Sequence, residues 1–266
     1  MWNPEQYARY ADERSRPFFE LVDRIRTATP KSVVDLGCGP GNLTASLAQR
    51  WPAAQVRGID NDTAMLASAE LHATTNASTE AHDLRFEAGD IATWRPEEPV
   101  DIIVSNAALQ WIPNHIELLP GLLDHVRPGG SLAFQVPGNL DDPHHSAIRA
   151  VRGRPRWSSL PSLRDLPERT HESQPAVAYT DKLAALGYEV DAWETTYVHI
   201  LSGDDPILEW VKGTALRPVF DALPGQESRD AFCAELAPLL RDAYPSRTYG
   251  TPFPFRRVFV VARRPG

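Results

Sequence analysis

The sequence predicts an α/β fold with a doubly wound, mostly parallel sheet. Three observations lead to this class. Short apolar runs alternate with amphipathic stretches through the first half of the chain, which is the pattern of β-α-β units. A glycine-rich turn separates the first apolar run from the first amphipathic stretch, and proline or glycine stands at nearly every junction. The chain has 266 residues, of which 42% are hydrophobic, so it is long enough for one domain with insertions or two small ones.

The first half is predicted to contain five strands separated by helices. Short runs of Val, Ile and Leu indicate buried parallel strands, and amphipathic stretches of about ten residues indicate helices. The predicted strands are 33–36, 55–59, 84–87, 101–104 and 131–136. The predicted helices are 42–50, 63–72 and 115–126, and the Arg-Pro-Gly-Gly sequence at 127–130 is expected to end the last one.

After residue 137 the pattern changes. Residues 138–175 are rich in Pro, Arg, Ser and His, which favours an irregular or lid-like insertion. Regular patterning then returns, with predicted helices at 177–186, 204–217 and 229–241 and predicted strands at 189–201 and 255–262. We therefore expect a single domain. Its core would comprise about 1–137, 177–201 and 252–266, and its cap about 138–176 and 202–251.

Composition and charge exclude several classes of function. The formal net charge of −8 argues against non-specific nucleic-acid binding. No run of about 18 apolar residues is present, so no membrane span is predicted. The N-terminus lacks the basic and apolar regions of a secretory signal, and we expect a cytoplasmic protein. Cys38 and Cys233 are too few for a disulfide framework or a zinc site, and no metal is predicted.

A glycine-rich turn follows the first strand. Asp35 ends that strand, and Gly37, Gly39 and Gly41 follow before the first helix. The spacing differs from the Gly-x-Gly-x-x-Gly of a dinucleotide site because Asn42 stands at the third glycine position. No Lys-Ser or Lys-Thr follows, so a Walker loop is also excluded. A carboxylate at Asp35 would repel a pyrophosphate and would suit a cationic ligand.

Polar side chains also follow the next three predicted strands. Asp60 ends the second strand, 25 residues after Asp35, where a carboxylate can accept hydrogen bonds from both hydroxyls of a ribose. Asp90 follows the third strand and Asn106 the fourth. One such Asp is usually a helix cap or a turn residue. Ligands bind outside the carboxyl ends of parallel strands, so four polar strand ends beside a glycine loop favour a ligand site.

Together these motifs resemble the class I S-adenosylmethionine-dependent methyltransferases. The resemblance rests on Val-Asp-Leu-Gly-Cys-Gly-Pro-Gly at 34–41, Gly-Ile-Asp-Asn at 58–61, Gly-Asp-Ile at 89–91 and Arg-Pro-Gly-Gly at 127–130. It implies a seven-stranded Rossmann-like sheet with an antiparallel last strand and a mainly helical cap formed by the insertions. It also implies S-adenosyl-L-methionine as the cofactor.

The resemblance also implies a role for each motif. The glycine loop would pack against the methionyl part of the cofactor, Asp60 would bind the ribose, and Asp90 with Ile91 would meet the adenine. Asn106 and Ala107 would face the methionine end. The cofactor-binding candidates are Asp35, Gly37, Gly39, Gly41, Asp60, Asn61, Met65, Asp90, Ile91, Asn106, Ala107 and Tyr10. Tyr10 is included because the N-terminal segment commonly covers the cofactor in this fold.

Over its whole length the chain is similar to methyltransferases of this class that esterify one carboxylate of a small polycarboxylic acid. Motifs carrying this similarity include Trp-Asn-Pro at 2–4, Leu-Gln-Trp at 109–111 and Leu-Arg-Pro at 216–218. The implied acceptor is a small polycarboxylate. A carboxylate is already ionised near pH 7, so we expect no catalytic base and no metal, and catalysis by positioning and by exclusion of water.

Arginine is the side chain expected to hold the other carboxylates of such an acceptor, because it binds carboxylates through two parallel hydrogen bonds. The substrate-binding candidates are Arg217, Arg256, Tyr249, Arg16 and Trp111. Arg217 is interpreted as the end of a helix broken by the following proline. Three alternatives stay open: a methyltransferase of another small acid or a hydroxyl acceptor, a non-catalytic cofactor-binding module, and, disfavoured by the glycine spacing, a nicotinamide dehydrogenase.

Overall fold

The computed structural model of the chain describes residues 11–75, 83–167 and 172–266. Its centre is a seven-stranded sheet. The strands are β1 (Ser32–Leu36), β2 (Gln55–Asp60), β3 (Leu84–Ala88), β4 (Val100–Asn106), β5 (Val126–Pro137), β6 (Glu189–Leu201) and β7 (Thr251–Arg263). Their order in the sheet is β3-β2-β1-β4-β5-β7-β6. β1 to β5 pair in parallel, and β7 is antiparallel to both of its neighbours, β5 and β6.

Helices cover both faces of the sheet. They are α1 (Ala11–Asp23), α2 (Asn42–Arg50), α3 (Thr63–Thr75), α4 (Leu119–Asp124), α5 (Pro143–Arg152), α6 (Pro155–Ser158), α7 (Pro161–Arg164), α8 (Ala176–Ala184), α9 (Pro206–Lys212), α10 (Arg217–Ala222) and α11 (Gly225–Ala243). Short 3₁₀ turns span Leu109–Trp111 and His115–Glu117. None of the helices in the described parts of the chain is both long and apolar enough to cross a membrane.

The sheet is buried on both faces, as the apolar runs of its strands predict. Phe18 and Leu21 of α1 and Leu47 of α2 pack on one face. Leu122 of α4 and Tyr179 of α8 pack on the other. Helices cover both faces, and the strand order reverses direction between β1 and β4. This is the doubly wound, Rossmann-like arrangement, and β7 is its antiparallel strand. The predicted fold class is confirmed.

The residues of the two predicted insertions share a hydrophobic cluster of their own. Trp157, Trp210 and Phe232 lie at its centre and are fully buried. Phe253 and Phe255 near the start of β7 join this cluster to the sheet. The division of the chain into core and cap stays a prediction, and this shared cluster is consistent with it.

Four sequence predictions about local structure were wrong. The insertion after residue 137 is not irregular in its described part, since it contains α5, α6 and α7. Each of these helices has a proline in its first turn, where the missing N–H and fixed φ favour a helix start. The predicted helix at 115–126 is a 3₁₀ turn followed by the shorter α4. The Arg-Pro-Gly-Gly sequence lies inside β5, where a register shift against β4 accommodates it.

The fourth error concerns Arg217. The predicted helix at 204–217 ends instead at Lys212, and Arg217 is the first residue of α10. Pro218 occupies the second position of that helix, which tolerates proline, so the proline starts a helix there and breaks none. The arginine therefore does not lie at a helix C-terminus, and the interpretation of it as a helix end is wrong.

Candidate cofactor and substrate site

The glycine loop between β1 and α2 is tied to the neighbouring strand. The backbone N–H groups of Gly37 and Cys38 both donate to the carbonyl of Ile59 at the end of β2, over 2.8 and 3.1 Å. Gly37, Gly39 and Gly41 all have positive φ angles, of 81°, 54° and 77°. Only glycine adopts such angles without strain, which explains the spacing of the three glycines.

Two of these glycines have different surroundings. A Cβ atom at Gly41 would lie 2.6 Å from Cζ of Phe86 and 2.7 Å from Cβ of Ala69, whereas at Gly39 it would meet no atom within 4 Å. Gly41 is thus required by the packing of α2 against its neighbours. Gly39 borders open space, which leaves its backbone accessible to a ligand.

Asp60 links the glycine loop to the turn after β2. Its Oδ2 accepts a hydrogen bond from the Gly39 N–H over 2.8 Å, and its Oδ1 accepts one from the Asp62 N–H over 2.9 Å. A carboxylate oxygen has two lone pairs, so both oxygens retain the capacity to accept from ribose hydroxyls. The geometry fits a carboxylate that shapes the loop and binds a ligand with the same atoms.

Asp62 is a residue of this turn that the sequence analysis missed. Its Oδ1 accepts from the N–H groups of Ala64 and Met65, over 2.9 and 3.3 Å, and so caps α3. Its Oδ2 lies 3.8 Å from Nη2 of Arg217. The Asp-x-x pattern before α3 is an ordinary helix-cap signal, and nothing in the sequence indicated the ion pair to α10. Asn61 beside it is exposed.

The turn after β3 holds Asp90 and Ile91. The Asp90 carboxylate accepts from the N–H of Ala92 over 2.9 Å, so it also closes a local turn. The position of a Cβ on Gly37 would be 3.5 Å from Cδ1 of Ile91. The turn therefore lies beside the glycine loop, as the prediction of one shared crevice requires.

Asp35 is a buried carboxyl group with an incomplete set of hydrogen bonds. It is 2% exposed, and its Oδ2 accepts from the hydroxyl of Thr44 over 2.6 Å. Oδ1 has no hydrogen-bond partner among the described residues. Burial, with a smaller contribution from the charge of Asp60, raises the pKa of Asp35 to about 7. A cationic group bound here would complete its hydrogen bonding and stabilise the ionised form.

A chain of hydrogen-bonded polar side chains leads from the partly buried Asn106 at the end of β4 to two buried residues. Gln135 of β5 donates through Nε2 to Oδ1 of Asn106 over 2.7 Å, and its Oε1 accepts from Nη1 of Arg257 over 3.2 Å. The next residue, Ala107, has a φ of 53°, a conformation that costs energy for a residue with a Cβ. Gln135 and Arg257 were missed in the sequence because each lies within an apolar run.

The predicted substrate side chains are dispersed. Arg217 of α10 faces Asp62, as described above. Nη1 of Arg256 lies 2.8 Å from Oε2 of Glu194 on β6, and the Arg256 side chain is 44% exposed. The two arginines therefore belong to exposed or half-exposed ion pairs on different elements, and their role in substrate binding stays a prediction.

The remaining three substrate candidates lie at the surface. Nε of Arg16 is 2.8 Å from Oε1 of Glu20, and its guanidinium lies over the ring of Tyr197. Trp111 is 41% exposed and Tyr249 is 64% exposed, so their role in substrate binding stays a prediction. Tyr10, predicted to cover the cofactor, lies outside the described residues.

Metal and thiol chemistry have little support in the described parts of the chain. No group of three or more His, Cys, Asp and Glu side chains there could hold a metal ion. Cys38 and Cys233 are both buried and free. Burial, with the nearby charges of Asp35 and Asp60, raises the pKa of the Cys38 thiol, so this cysteine is a poor nucleophile.

Comparison with known proteins identifies the family. A methyltransferase domain model matches residues 33–130. The chain is 48% identical over 265 residues to the trans-aconitate 2-methyltransferase of Streptomyces avermitilis, covering 99% of this chain and 97% of that one. The enzyme of the same name from Mycolicibacterium gilvum is 49% identical, with 99% of both chains covered. The chain belongs to the trans-aconitate 2-methyltransferase family. The predicted methyltransferase activity is confirmed.

Solved structures share the fold of this trans-aconitate 2-methyltransferase family member at low sequence identity. The YcgJ protein from Bacillus subtilis superimposes with a TM-score of 0.58 and 15% identity, over 94% of this chain and 99% of that one. The [4+2]-cyclase SpnF superimposes with a TM-score of 0.56 and 17% identity, over 94% and 81%. Since these neighbours include a cyclase, the fold alone does not determine the reaction.

The different surroundings of Gly39 and Gly41 lead to a paired prediction. In this family member, Gly39→Ala is expected to lower the free energy of unfolding only by the backbone strain, about 1–2 kcal/mol, because no atom obstructs the new Cβ. It should nonetheless weaken binding of S-adenosylhomocysteine. Gly41→Ala is expected to destabilise the fold further, because its Cβ would overlap Phe86 and Ala69. Urea unfolding and calorimetry measure the two effects. Equal destabilisation by both variants would contradict this account of the loop.

Asp35 leads to a prediction about pH. Its folded pKa of about 7 exceeds the ordinary 3.8, so its contribution to stability is greatest below pH 4 and is lost as the pH rises through 7. A ligand ammonium group would favour the carboxylate. We therefore expect affinity for S-adenosylhomocysteine to rise with pH up to about 7 and binding at pH 6–7 to release a proton.

Calorimetry in two buffers of different ionisation enthalpy measures this proton release. Asp35→Asn is the matched variant, since it keeps an acceptor for Thr44 and cannot ionise. Its binding should show no proton release between pH 6 and 7. Proton release of the same size in the variant would assign the titration to another group.

Proposed function

We propose that this chain transfers the methyl group of S-adenosylmethionine to one carboxylate of trans-aconitate, giving a monomethyl ester and S-adenosylhomocysteine. The observation that carries the proposal is the 48% identity to a trans-aconitate 2-methyltransferase over 99% of the chain. The similarity therefore includes the insertions, where acceptor specificity would lie in this fold. A methyltransferase of another acid or of a hydroxyl compound would share only the cofactor motifs.

The residues at the carboxyl ends of β1 to β4 fit the cofactor. The open backbone at Gly39 leaves room for it, Asp60 has acceptor capacity for ribose hydroxyls, and the buried Oδ1 of Asp35 is suited to the methionyl ammonium group. Asp90 and Ile91 would hold the adenine, with Asn61 and Met65 beside them. Asn106 and Ala107 would contact the methionine end. When bound, the sulfonium supplies an electrophilic methyl group.

The described residues supply position and electrostatics, and no proton transfer is needed. An acceptor carboxylate is ionised near neutral pH, so it can attack in line once it is held against the methyl group. The reaction converts an anion and a cation into two neutral groups, and a site that excludes water favours that neutralisation. In this scheme the amides of the partly buried Asn106 and the buried Gln135 orient the reactants without taking a proton.

A direct assay tests the proposal. Purified protein is incubated with S-adenosylmethionine and, separately, trans-aconitate, cis-aconitate, citrate and a panel of hydroxyl acceptors, and the products are analysed by mass spectrometry. We expect a monomethyl ester of trans-aconitate as the preferred product. A higher kcat/KM with another acceptor would identify that compound, and not trans-aconitate, as the preferred substrate. Cofactor binding without turnover of any acceptor would indicate a non-catalytic module. A cytoplasmic location and the absence of nucleic-acid partners stay predictions from the sequence.

Activity is expected to be insensitive to chelators. The described residues offer no metal-binding cluster, and a pre-ionised carboxylate needs no metal-activated nucleophile. Initial rates are compared with and without EDTA, and circular dichroism in the same solutions controls for unfolding. Loss of activity with an intact spectrum, restored by a divalent ion, would contradict the mechanism.

A further inference from the structure

We propose that Arg257 binds a carboxylate of the acceptor that is not methylated, and that Gln135 positions Arg257 relative to Asn106. This inference rests on the proposed function and concerns how that substrate is recognised. Arg256 was the arginine predicted from the sequence. Its neighbour on β7, Arg257, differs from it in burial and in the face of the sheet that it occupies.

The sheet register brings Arg257 to the ligand-binding edge. Arg257 of β7 pairs with Pro137, the last residue of β5. Because β7 is antiparallel, its first half lies at the edge where β4 and β5 end. Gln135 pairs with Asn106, the last residue of β4. All three side chains therefore lie close to the carboxyl ends of the central strands, where ligands bind in this class of sheet.

Neighbouring residues of a strand face opposite sides of the sheet, and the two arginines differ accordingly. Arg257 is 5% exposed, and its guanidinium lies 4.6 Å from the centroid of the Phe255 ring. Arg256 lies on the opposite face, where its side chain is 44% exposed and pairs with Glu194. A guanidinium away from water forms stronger charge-assisted hydrogen bonds with a carboxylate than an exposed one. Its planar fork also matches a carboxylate in geometry.

The chemistry of the three side chains fixes the direction of their hydrogen bonds. A guanidinium donates and never accepts, so Gln135 must turn its Oε1 toward Arg257. Its Nε2 then donates to Oδ1 of Asn106. Asn106 is left with its amide N–H₂ as the donor toward other groups. Arg257 thus sets the orientation of an amide at the predicted methionine end, which couples the anchoring of the acceptor to the reacting region.

The expected effect is on the acceptor and not on the cofactor. Arg257→Met should raise KM for trans-aconitate about 10- to 100-fold, the range for losing a charge-assisted pair. Arg257→Lys should fall between wild type and Arg257→Met, because an ammonium group lacks the fork. Gln135→Met should lower kcat more than Arg257→Lys does. The affinity for S-adenosylhomocysteine should stay within about twofold in all three.

Arg263→Met is the matched control. Arg263 lies at the far end of β7 and forms an exposed ion pair with Glu189. Its loss tests the general effect of removing a cation and an arginine stem from this strand. We expect wild-type kinetics from this variant.

A thermodynamic cycle that combines protein variants with substrate analogues distinguishes binding of a carboxylate by Arg257 from a purely structural role of this residue. Wild type and each variant are assayed with trans-aconitate and with unsaturated dicarboxylic acids that lack one or the other non-reacting carboxylate. If Arg257 binds one of these carboxylates, kcat/KM of the wild type should be lower with the dicarboxylic acid that lacks that carboxylate than with trans-aconitate. For Arg257→Met, kcat/KM should be almost the same with the two acids. An unchanged KM in folded Arg257→Met, or an equal further loss in variant and wild type, would overturn the proposal.

Arg257→Lys keeps the test decisive if Arg257→Met does not fold, because it preserves the charge and most of the stem. Wild-type KM in this variant with both the tri- and dicarboxylic acids would likewise overturn the proposal. The proposed function fails in a different way, namely if the wild-type protein methylates no polycarboxylate.

Discussion

Replacing Asp60 with alanine is expected to weaken the binding of S-adenosylhomocysteine by about 1–3 kcal/mol, the effect of leaving buried polar partners unsatisfied. The structure gives this substitution two consequences. It would leave the ribose hydroxyls without their proposed acceptor. It would also remove the acceptor for the N–H of Gly39, which holds the glycine loop in place.

A ligand without ribose hydroxyls separates these consequences. Wild type should bind the deoxygenated analogue of S-adenosylhomocysteine more weakly than the parent compound, whereas Asp60→Ala should bind the two about equally. Asp191→Ala is the control, because Asp191 forms an exposed ion pair with Arg24. Calorimetry that shows unchanged affinity in Asp60→Ala would sink the ribose assignment.

Replacing Arg217 with methionine is expected to raise KM for trans-aconitate, or to lower kcat/KM, about tenfold or more, since each charge-assisted hydrogen bond contributes about 1.5–3 kcal/mol. Arg256→Met is expected to have the same effect only if the acceptor lies on the face of β7 opposite Arg257. Their present partners, Asp62 and Glu194, form ion pairs with substantial exposure. Such pairs contribute little to stability. Either arginine can therefore exchange its partner for a substrate carboxylate at small cost, and cofactor affinity should hardly change.

Steady-state kinetics with the tricarboxylate and a monocarboxylate analogue measure this effect. Rising ionic strength should weaken acceptor binding more than cofactor binding, because a trianion carries more charge. If kcat/KM is the same for the monocarboxylate and the tricarboxylate, or if both variants have wild-type kinetics, these arginines do not bind the acceptor. Comparing Arg256→Met with Arg257→Met determines which face of β7 the acceptor occupies.

Local sequence was sufficient to predict several elements of the fold and the glycine loop between β1 and α2. The bounds of α2 were predicted correctly because Gly41 marks its start and Thr44, Leu47 and Ala48 form its buried face. β6 was also predicted at its full length. The glycine spacing needed no long-range information, since positive φ angles are a property of single residues.

The surroundings of the residues proposed to bind the acceptor depend on tertiary structure. Which face of the sheet each of the adjacent residues Arg256 and Arg257 occupies depends on how β7 pairs with β5, and a shift of one residue would exchange them. Gln135 has no local signal, since its importance comes from partners 29 and 122 residues away. Pro218 is compatible with either a helix end or a helix start, and the packing of α10 in a cluster whose members are distant in sequence accompanies the second outcome. Strand registration and side-chain packing are properties of pairs of segments, so no single segment encodes them.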